Sequence, residues 1–491
     1  MSQAIQLTMS PWYGVPDFTP MAAGAAERRL DPVSIVDLLR NGFVYPPHSI
    51  FQDVKLVTFG FSPQEDMTGT PEFRFRFRRA GEVPEVPSSH QEWVEVYHQK
   101  LCTAMQRSCA PMASPWLLQS GGKDSTTLAI ALAEARPDAT CITYLGGREE
   151  NEVDSARHVA ATLGLRHEVM VCDAARAYDR YLAVVDRMPL LTADFALLSY
   201  IDLASEISDR GGDGVIDGLG SDSYFGTPMG RQHWMLARLA RQLKLPPGLT
   251  RLPLVDRSFE ACFMLGTLQM NAIERMFPGS RFTDAEVDEL VGAPVSRRSR
   301  DRMALFTREL ASATSAAEWR DMSMSIAGSA GAFAKGLFTT HALSMHVAYP
   351  FCDPDLRQWI HNDVPRYEKL DADTGLNKLL VRQHIATRFG ELPYVKNKGS
   401  FRFDLCGLAR ERFDLVRDFA LSANDRLPGA VTWLDRHRKR LDNKYHASKF
   451  YLLAVVLPWL VLRTEGNPAL AARARTRAAG TVGSARDGIG R

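Results

Sequence analysis

The chain is 491 residues long, about three times the roughly 150-residue domain prior, so two or three domains and a large core are expected. Its 45% hydrophobic, 24% charged and 9% aromatic residues argue against wholesale disorder, a fibre or a low-complexity scaffold. A formal net charge of +2 argues against a bulk electrostatic grip on nucleic acid or a membrane surface, so any polyanion must be bound locally.

The stretch before about Leu30 reads as irregular, and the residues from Met1 to Phe18 lack the basic start and apolar run of a signal peptide. Asp31 and Pro32 make a good N-cap and first helical residue for a short helix through Leu38 and Leu39. Phe43 to Pro47 and Val54 to Phe61 read as strand-like pieces. Alternation of Phe73, Phe75 and Phe77 with Arg74, Arg76 and Arg78 predicts a half-buried strand. From Trp116 onward short apolar runs alternate with segments of 3.6 periodicity. Strands are expected at Trp116 to Leu118, Ala139 to Leu145, Val169 to Cys172 and Gly214 to Asp217. Helices are expected around Leu128 to Ala135, Val153 to Leu163, Tyr178 to Leu182 and Leu197 to Ile207. This rhythm predicts an α/β fold with a doubly wound parallel sheet, with ligands beyond the carboxyl ends of its strands. Residues from about Gln232 to Lys449 read as mainly helical, with a basic, serine-containing linker at Ser296 to Arg300. The longest oily stretch, Phe450 to Leu462, is too short to span a bilayer and contains Pro458. The end from Ala472 to Arg491 is rich in Ala, Arg and Gly and reads as a disordered tail. The seven cysteines are scattered and never spaced C-x-x-C, so reduced thiols and a cytoplasmic location are expected.

The sharpest signal is Ser120-Gly121-Gly122-Lys123-Asp124-Ser125-Thr126, set between a strand and an amphipathic helix. Gly121 and Gly122 permit close backbone approach. The N–H groups of the helix start, with the hydroxyls of Ser120 and Ser125, can cradle a phosphate. The Walker pattern is absent.

Ser120 to Ser125 resembles the SGGxDS loop of the N-type ATP pyrophosphatases, the PP-loop or adenine nucleotide alpha hydrolase-like group, which cleave ATP to AMP and pyrophosphate. Three further segments resemble the asparagine synthetase branch, in matching order. Asp217 to Gly226 (DGLGSDSYFG) is similar to S-G-E-G-x-D-E-x-F-G-G, and Tyr349 to Leu356 (YPFCDPDL) to R-V-P-F-L-D-x-x-L. Leu376 to Arg382, followed by Lys396 to Phe401, is similar to the K-x-x-L-R and R-x-K-x-x-F elements. The resemblance implies a synthetase domain over 111–467 with a helical C-terminal part, a small α+β N-terminal cap over 1–110 and a tail over 468–491. It implies ATP and Mg2+ as cofactors, with Asp124 and Asp222 as the magnesium carboxylates. Ser120, Gly121, Gly122, Asp124 and Ser125 would hold the phosphates, and Leu118 and Gly218 would hold adenine through backbone groups. Lys398 would stabilise charge during adenylation and amide formation, and Lys378 would lie near the phosphates. Neighbouring Lys396 is the other lysine of that element.

Departures from the pattern concern the acceptor. Leu219 stands where the family has glutamate, and leucine is neither acid nor base. Ser223 replaces the second glutamate, and His346-Val347-Ala348 stands in place of E-V-R. Ser2 occupies the position of the glutaminase cysteine, so the N-terminal segment reads as a truncated relic without glutaminase activity. The expected activity is an AMP-forming amide synthetase of specialised or natural-product metabolism. Its partners would be a small-molecule or peptide carboxylate and an amine, or ammonia from solution or a separate amine-supplying subunit, with no nucleic acid and no membrane. A tRNA-thiolase-like adenylating enzyme, for which Lys123 speaks, and a catalytically decayed ATP-binding scaffold stand as the other readings.

Overall fold

The computed structural model describes residues 5–8, 16–22, 28–58, 89–146, 150–225, 255, 257–270, 281–313, 319, 322, 326, 328–371, 376–390 and 403–464. The expected Phe73 to Phe77 strand, the tail, and Lys396 and Lys398 lie outside them.

A parallel pair of strands, β1 (Ile5–Thr8) and β2 (Val54–Val57), is joined through α1 (Pro32–Asn41). β1 falls in the stretch read as irregular, because four residues carry too little alternation to be seen. As the sequence predicts, Asp31 caps α1 by accepting from Val33 N–H at 3.1 Å, with Pro32 in the first turn. Gly42, at φ 81°, ends it in the left-handed conformation. Phe43 to Pro47 forms no strand; Phe43 and Tyr45 are instead buried with Phe306 and Met322 in a small aromatic cluster.

The long helix α2 (His90–Cys109) opens with a capping box between Ser89 and Glu92. Then come β3 (Pro115–Leu118), α3 (Lys123–Ala135), β4 (Thr140–Leu145), α4 (Glu150–Thr162), β5 (Arg166–Val171), α5 (Ala174–Val184), α6 (Leu197–Asp209) and β6 (Gly214–Ile216). This alternation agrees with the sequence pattern. A fifth strand, β7 (His346–Ala348), pairs with β6, giving a wholly parallel sheet in the order β5-β4-β3-β6-β7. Leu117, Cys141 and Ile216 face a cluster shared with α2 and α3, whereas Trp116, Ile142 and Val215 face Tyr200, Leu203 and Ile207 of α6. Helices therefore cover both faces, and the inner strands β3 and β6 are buried on both sides, as a parallel sheet requires. The chain runs outward from β3 to β5 and then returns to β6 on the other side of β3. The β3/β6 boundary is thus the topological switch point, where the loops after the two strands part and leave a crevice.

The remaining helices include α7 (Asp284–Val291), α8 (Ser296–Asp301), α9 (Phe333–Ala342), α10 (Pro354–Asn362), α11 (Leu379–Phe389), α12 (Leu405–Ser422), α13 (Ala430–His437) and α14 (Lys444–Thr464). Ser296 to Arg300 is not a linker: it forms α8, with Ser296 and Ser299 buried. Asp37 of α1 accepts from Ser299 Oγ at 2.5 Å and from Arg302, and Asp284 pairs with Arg40 and Arg300. The charges that resembled a solvated linker instead lock α8 onto α1. The segment Lys444–Arg463 is long and apolar enough to cross a membrane, yet its apolar 18-residue window is wholly buried within the fold. It is the central post of the largest core, flanked by α1 and α12.

Lys449, on that post, is buried and donates to both carboxylate oxygens of Glu286 on α7, at 2.9 and 2.8 Å. Burial by itself would raise the Glu286 carboxyl, but the Lys449 ammonium outweighs it and holds the group well below the usual glutamate range. A depressed folded-state value contributes stability that is fully present above the ordinary value of 4.5 and is lost as pH falls below it. Lys449→Met is expected to cost about 3–5 kcal/mol, because it leaves a carboxylate without its partner in the interior. Urea unfolding at pH 7 measures that loss. The difference between wild type and Lys449→Met should shrink as pH is lowered below 4.5.

Candidate functional site

The crevice is built by three strand ends. After β3 the chain passes through Gln119 to Gly122 into α3, where Gly122 sits at the N-cap with no side-chain capping bond. The start of this 13-residue helix is positively polarised and presents backbone donors. The two serines hold the loop's shape. Ser125 Oγ lies 2.8 Å from the Ser120 carbonyl and 3.1 Å from Ser120 Oγ, and Ser120 N–H donates to it at 3.1 Å. Thr126 Oγ1 adds a bond to the Gly122 carbonyl at 2.9 Å. Leu118 closes β3 in register with Ile142.

After β6, Asp217 donates its N–H to the Ala348 carbonyl of β7 at 2.9 Å. The loop then turns through Gly218, Leu219 and Gly220. A Cβ on Gly218 would lie 3.7 Å from that of Asp124, so this residue rests on the first turn of α3. Gly220 has φ +113°, and a Cβ there would meet Cys352 Sγ at 3.1 Å and Phe351 Cβ at 3.2 Å. Both the backbone conformation and the contact with the 349–352 segment call for glycine. Leu219 packs on the largest apolar core.

Four side chains meet in this crevice. Lys378 Nζ lies 2.7 and 2.8 Å from the two oxygens of Asp124, 2.6 Å from Asp222 Oδ1 and 2.9 Å from Ser221 Oγ. Ser221 Oγ also donates to Asp124 Oδ1 at 2.8 Å. Lys378 is the residue before α11, has φ +60°, and is buried. A left-handed conformation at a non-glycine residue costs about 1–2 kcal/mol. Burial would lower the ammonium, but Asp124 and Asp222 outweigh that and raise it above the ordinary lysine value. Two carboxylates and a hydroxyl converging on one cation form a hard oxygen donor set. Those residues fit a magnesium ion, which takes oxygen ligands.

The structure therefore brings Leu118, Ser120, Gly121, Gly122, Asp124, Ser125, Gly218, Asp222 and Lys378 to one crevice. Lys398 lies outside the described residues. His346 starts β7 opposite Gly214, two residues before the carboxyl end of that strand. Sequence reasoning assigned no role to Ser221, although it lies inside the quoted motif and directly precedes Asp222. It also passed over Gln119, which is buried beside the Ser120 to Ser125 loop, its side-chain amide oxygen having no hydrogen-bond partner among the described residues. A polar residue breaking the apolar run of β3 was the available signal.

Residues 116–404 match the family model described as Asparagine synthase. No curated protein matches the chain.

Because Lys378 Nζ sits between the carboxylates, Lys378→Met is expected to destabilise the nucleotide-free protein by about 2 kcal/mol. That is less than for a fully buried pair, because Asp222 is 66% exposed. Magnesium chloride without nucleotide should then raise the melting temperature of Lys378→Met more than that of wild type. Equal shifts would show that lysine and metal do not share the position.

Proposed function

The chain belongs to the asparagine synthase family, whose members are ATP-dependent C–N ligases, and we propose that this one is an AMP-forming amide synthetase acting on a carboxylate other than aspartate. The observation that carries the reading is the convergence of Asp124 and Asp222, from the loops after β3 and β6, on a single cation at the start of α3.

ATP would lie across the switch point, with its β- and γ-phosphates over Gly121, Gly122 and the first turn of α3. Asp124 and Asp222 would hold magnesium, which when bound supplies neutralising charge beside the phosphates. Lys378, displaced from the carboxylates, keeps its charge within reach of the same phosphates. The substrate carboxylate attacks the α-phosphorus, the bond to the bridging oxygen breaks, and pyrophosphate leaves toward the helix start. The amine nitrogen then attacks the acyl carbon, AMP is expelled and the nitrogen loses a proton. Leu219 cannot take that proton, so it passes to another group or to water. By the family resemblance, Lys398 would stabilise the charge that develops in both steps.

The first cysteine of this chain is Cys102, so no cysteine nucleophile for glutamine hydrolysis stands in the N-terminal segment. Ammonia or an amine would then come from solution, a substrate or a separate subunit. Leu219 and Ser223 in place of family glutamates support an altered acceptor and a role in specialised metabolism.

The test is product identity from purified protein with ATP, Mg2+ and pooled carboxylates, with and without ammonium or amines. AMP and pyrophosphate in equal amounts are expected, and Asp124→Ala should abolish both. Lys378→Ala should lower kcat by about 10²–10³-fold, the usual cost of one charge-stabilising group. ADP as product would overturn the adenylation scheme, and ATP binding without turnover across all pools would favour the decayed scaffold.

A further inference from the structure

A second cluster of chemically capable side chains lies at the far end of α3. His98 and Cys102 are one turn apart on α2, so they project from the same face. Glu134, in the last turn of α3, meets them. His98 Nε2 lies 3.0 Å from Glu134 Oε2 and 3.7 Å from Cys102 Sγ, and Cys102 Sγ lies 4.0 Å from Glu134 Oε2. Among the described residues, His98, Cys102 and Glu134 are a group whose ligand atoms all lie within 4.8 Å of one another.

Those three distances match one face of a zinc tetrahedron. With Zn–N and Zn–O near 2.0–2.1 Å and Zn–S near 2.3 Å, the N–O edge is about 3.3 Å and each edge to sulfur about 3.6 Å. Cys102 Sγ also lies 3.9 Å from His98 Nδ1, so closing the set requires the Cys102 side chain to turn toward the Nε2 lone pair. Two exposed carboxylates would not show this selectivity; nitrogen, sulfur and oxygen donors together suit zinc rather than magnesium or calcium.

The surroundings are those of a supported ligand set. The other ring nitrogen of His98 lies 2.9 Å from His384 Nε2, and His384 Nδ1 lies 2.7 Å from Thr127 Oγ1. His384 is buried between His98 and Thr127, so its hydrogen bond fixes the orientation of the His98 ring. Arg388 donates to Glu134 Oε1 at 3.1 Å and sits 3.4 Å from His98 Nε2. It pairs with the Glu134 oxygen that the metal does not need.

We propose that His98 Nε2, Cys102 Sγ and Glu134 Oε2 form a zinc site, with the fourth position taken by water. Binding releases the thiol proton of Cys102. His98 would present an unprotonated Nε2 to the metal, with Nδ1–H donating to His384 Nε2 and the His384 Nδ1–H donating to Thr127 Oγ1. The thiolate and the carboxylate balance the two charges of the ion. The site would fasten α2 to α3 and, through His384, to α11. These are the helices at whose opposite ends Asp124 and Lys378 stand, so zinc here stiffens the frame of the crevice while lying outside it.

The experiment uses the whole chain, stripped of metal and titrated with cobalt(II) chloride. One equivalent should produce a thiolate-to-cobalt charge-transfer band, which zinc chloride should bleach. The band should be lost in Cys102→Ser, and in His98→Asn, and retained in Asp124→Ala, whose site offers no sulfur. A band absent from wild type, or one that survives Cys102→Ser, would overturn the proposal. A second measurement needs no variant. Zinc chloride should slow iodoacetamide labelling of Cys102 in wild type at least tenfold, read by peptide mass, without changing labelling of Cys406. Equal labelling of Cys102 with and without zinc would sink the idea.

Discussion

The pairing of β3 with β6 is the constraint on which the crevice depends. It places the loop after Leu118 beside the loop after Ile216, although Ser221 and Asp124 are 97 residues apart in the chain. Parallel strands carry their carboxyl ends on one side of the sheet, so two loops that follow neighbouring strands must face each other. Everything in the site follows from that adjacency: the helix start, the two carboxylates, and the lysine that enters from α11.

The ion cluster is not there for stability alone. At an effective dielectric of about 20, a contact near 2.7 Å gains about 6 kcal/mol of gross attraction, against several kcal/mol for desolvating each ion. The sum is close to balance, and Lys378 also holds a left-handed backbone. Hydrophobic burial carries the fold instead: α14 is buried from Tyr445 to Leu462 and ties α1 to α12. A stable frame of this kind lets the crevice retain charges that add little net stability of their own.

Much of the frame was legible because its signals are local. The apolar runs of β3 to β6 and the 3.6 periodicity of α3 to α6 survive without knowledge of their neighbours, and Asp31 with Pro32 announces α1 by capping chemistry alone. Elements with few residues or mixed character were not legible. β7 has three residues and β1 four, and each exists because a partner strand supplies the other half of its hydrogen bonds. α8 reads as basic and polar, yet it is a packed helix because Asp37 and Asp284 come to it from segments distant in sequence.

The sequence by itself determined the fold class and the turn of Ser120 to Ser125 between β3 and α3, since each rests on residue types within a few positions of one another, and the family resemblance singled out Asp124 and Asp222. Only the tertiary structure decided that Lys378 and Ser221 complete the same cluster and that His98, Cys102, Glu134 and His384 meet at the far end of α3. Those contacts join residues up to 286 apart, and no periodicity or spacing along a chain encodes which helix faces will be packed together. Packing complementarity of whole helices sets them, and it exists only once the sheet has formed.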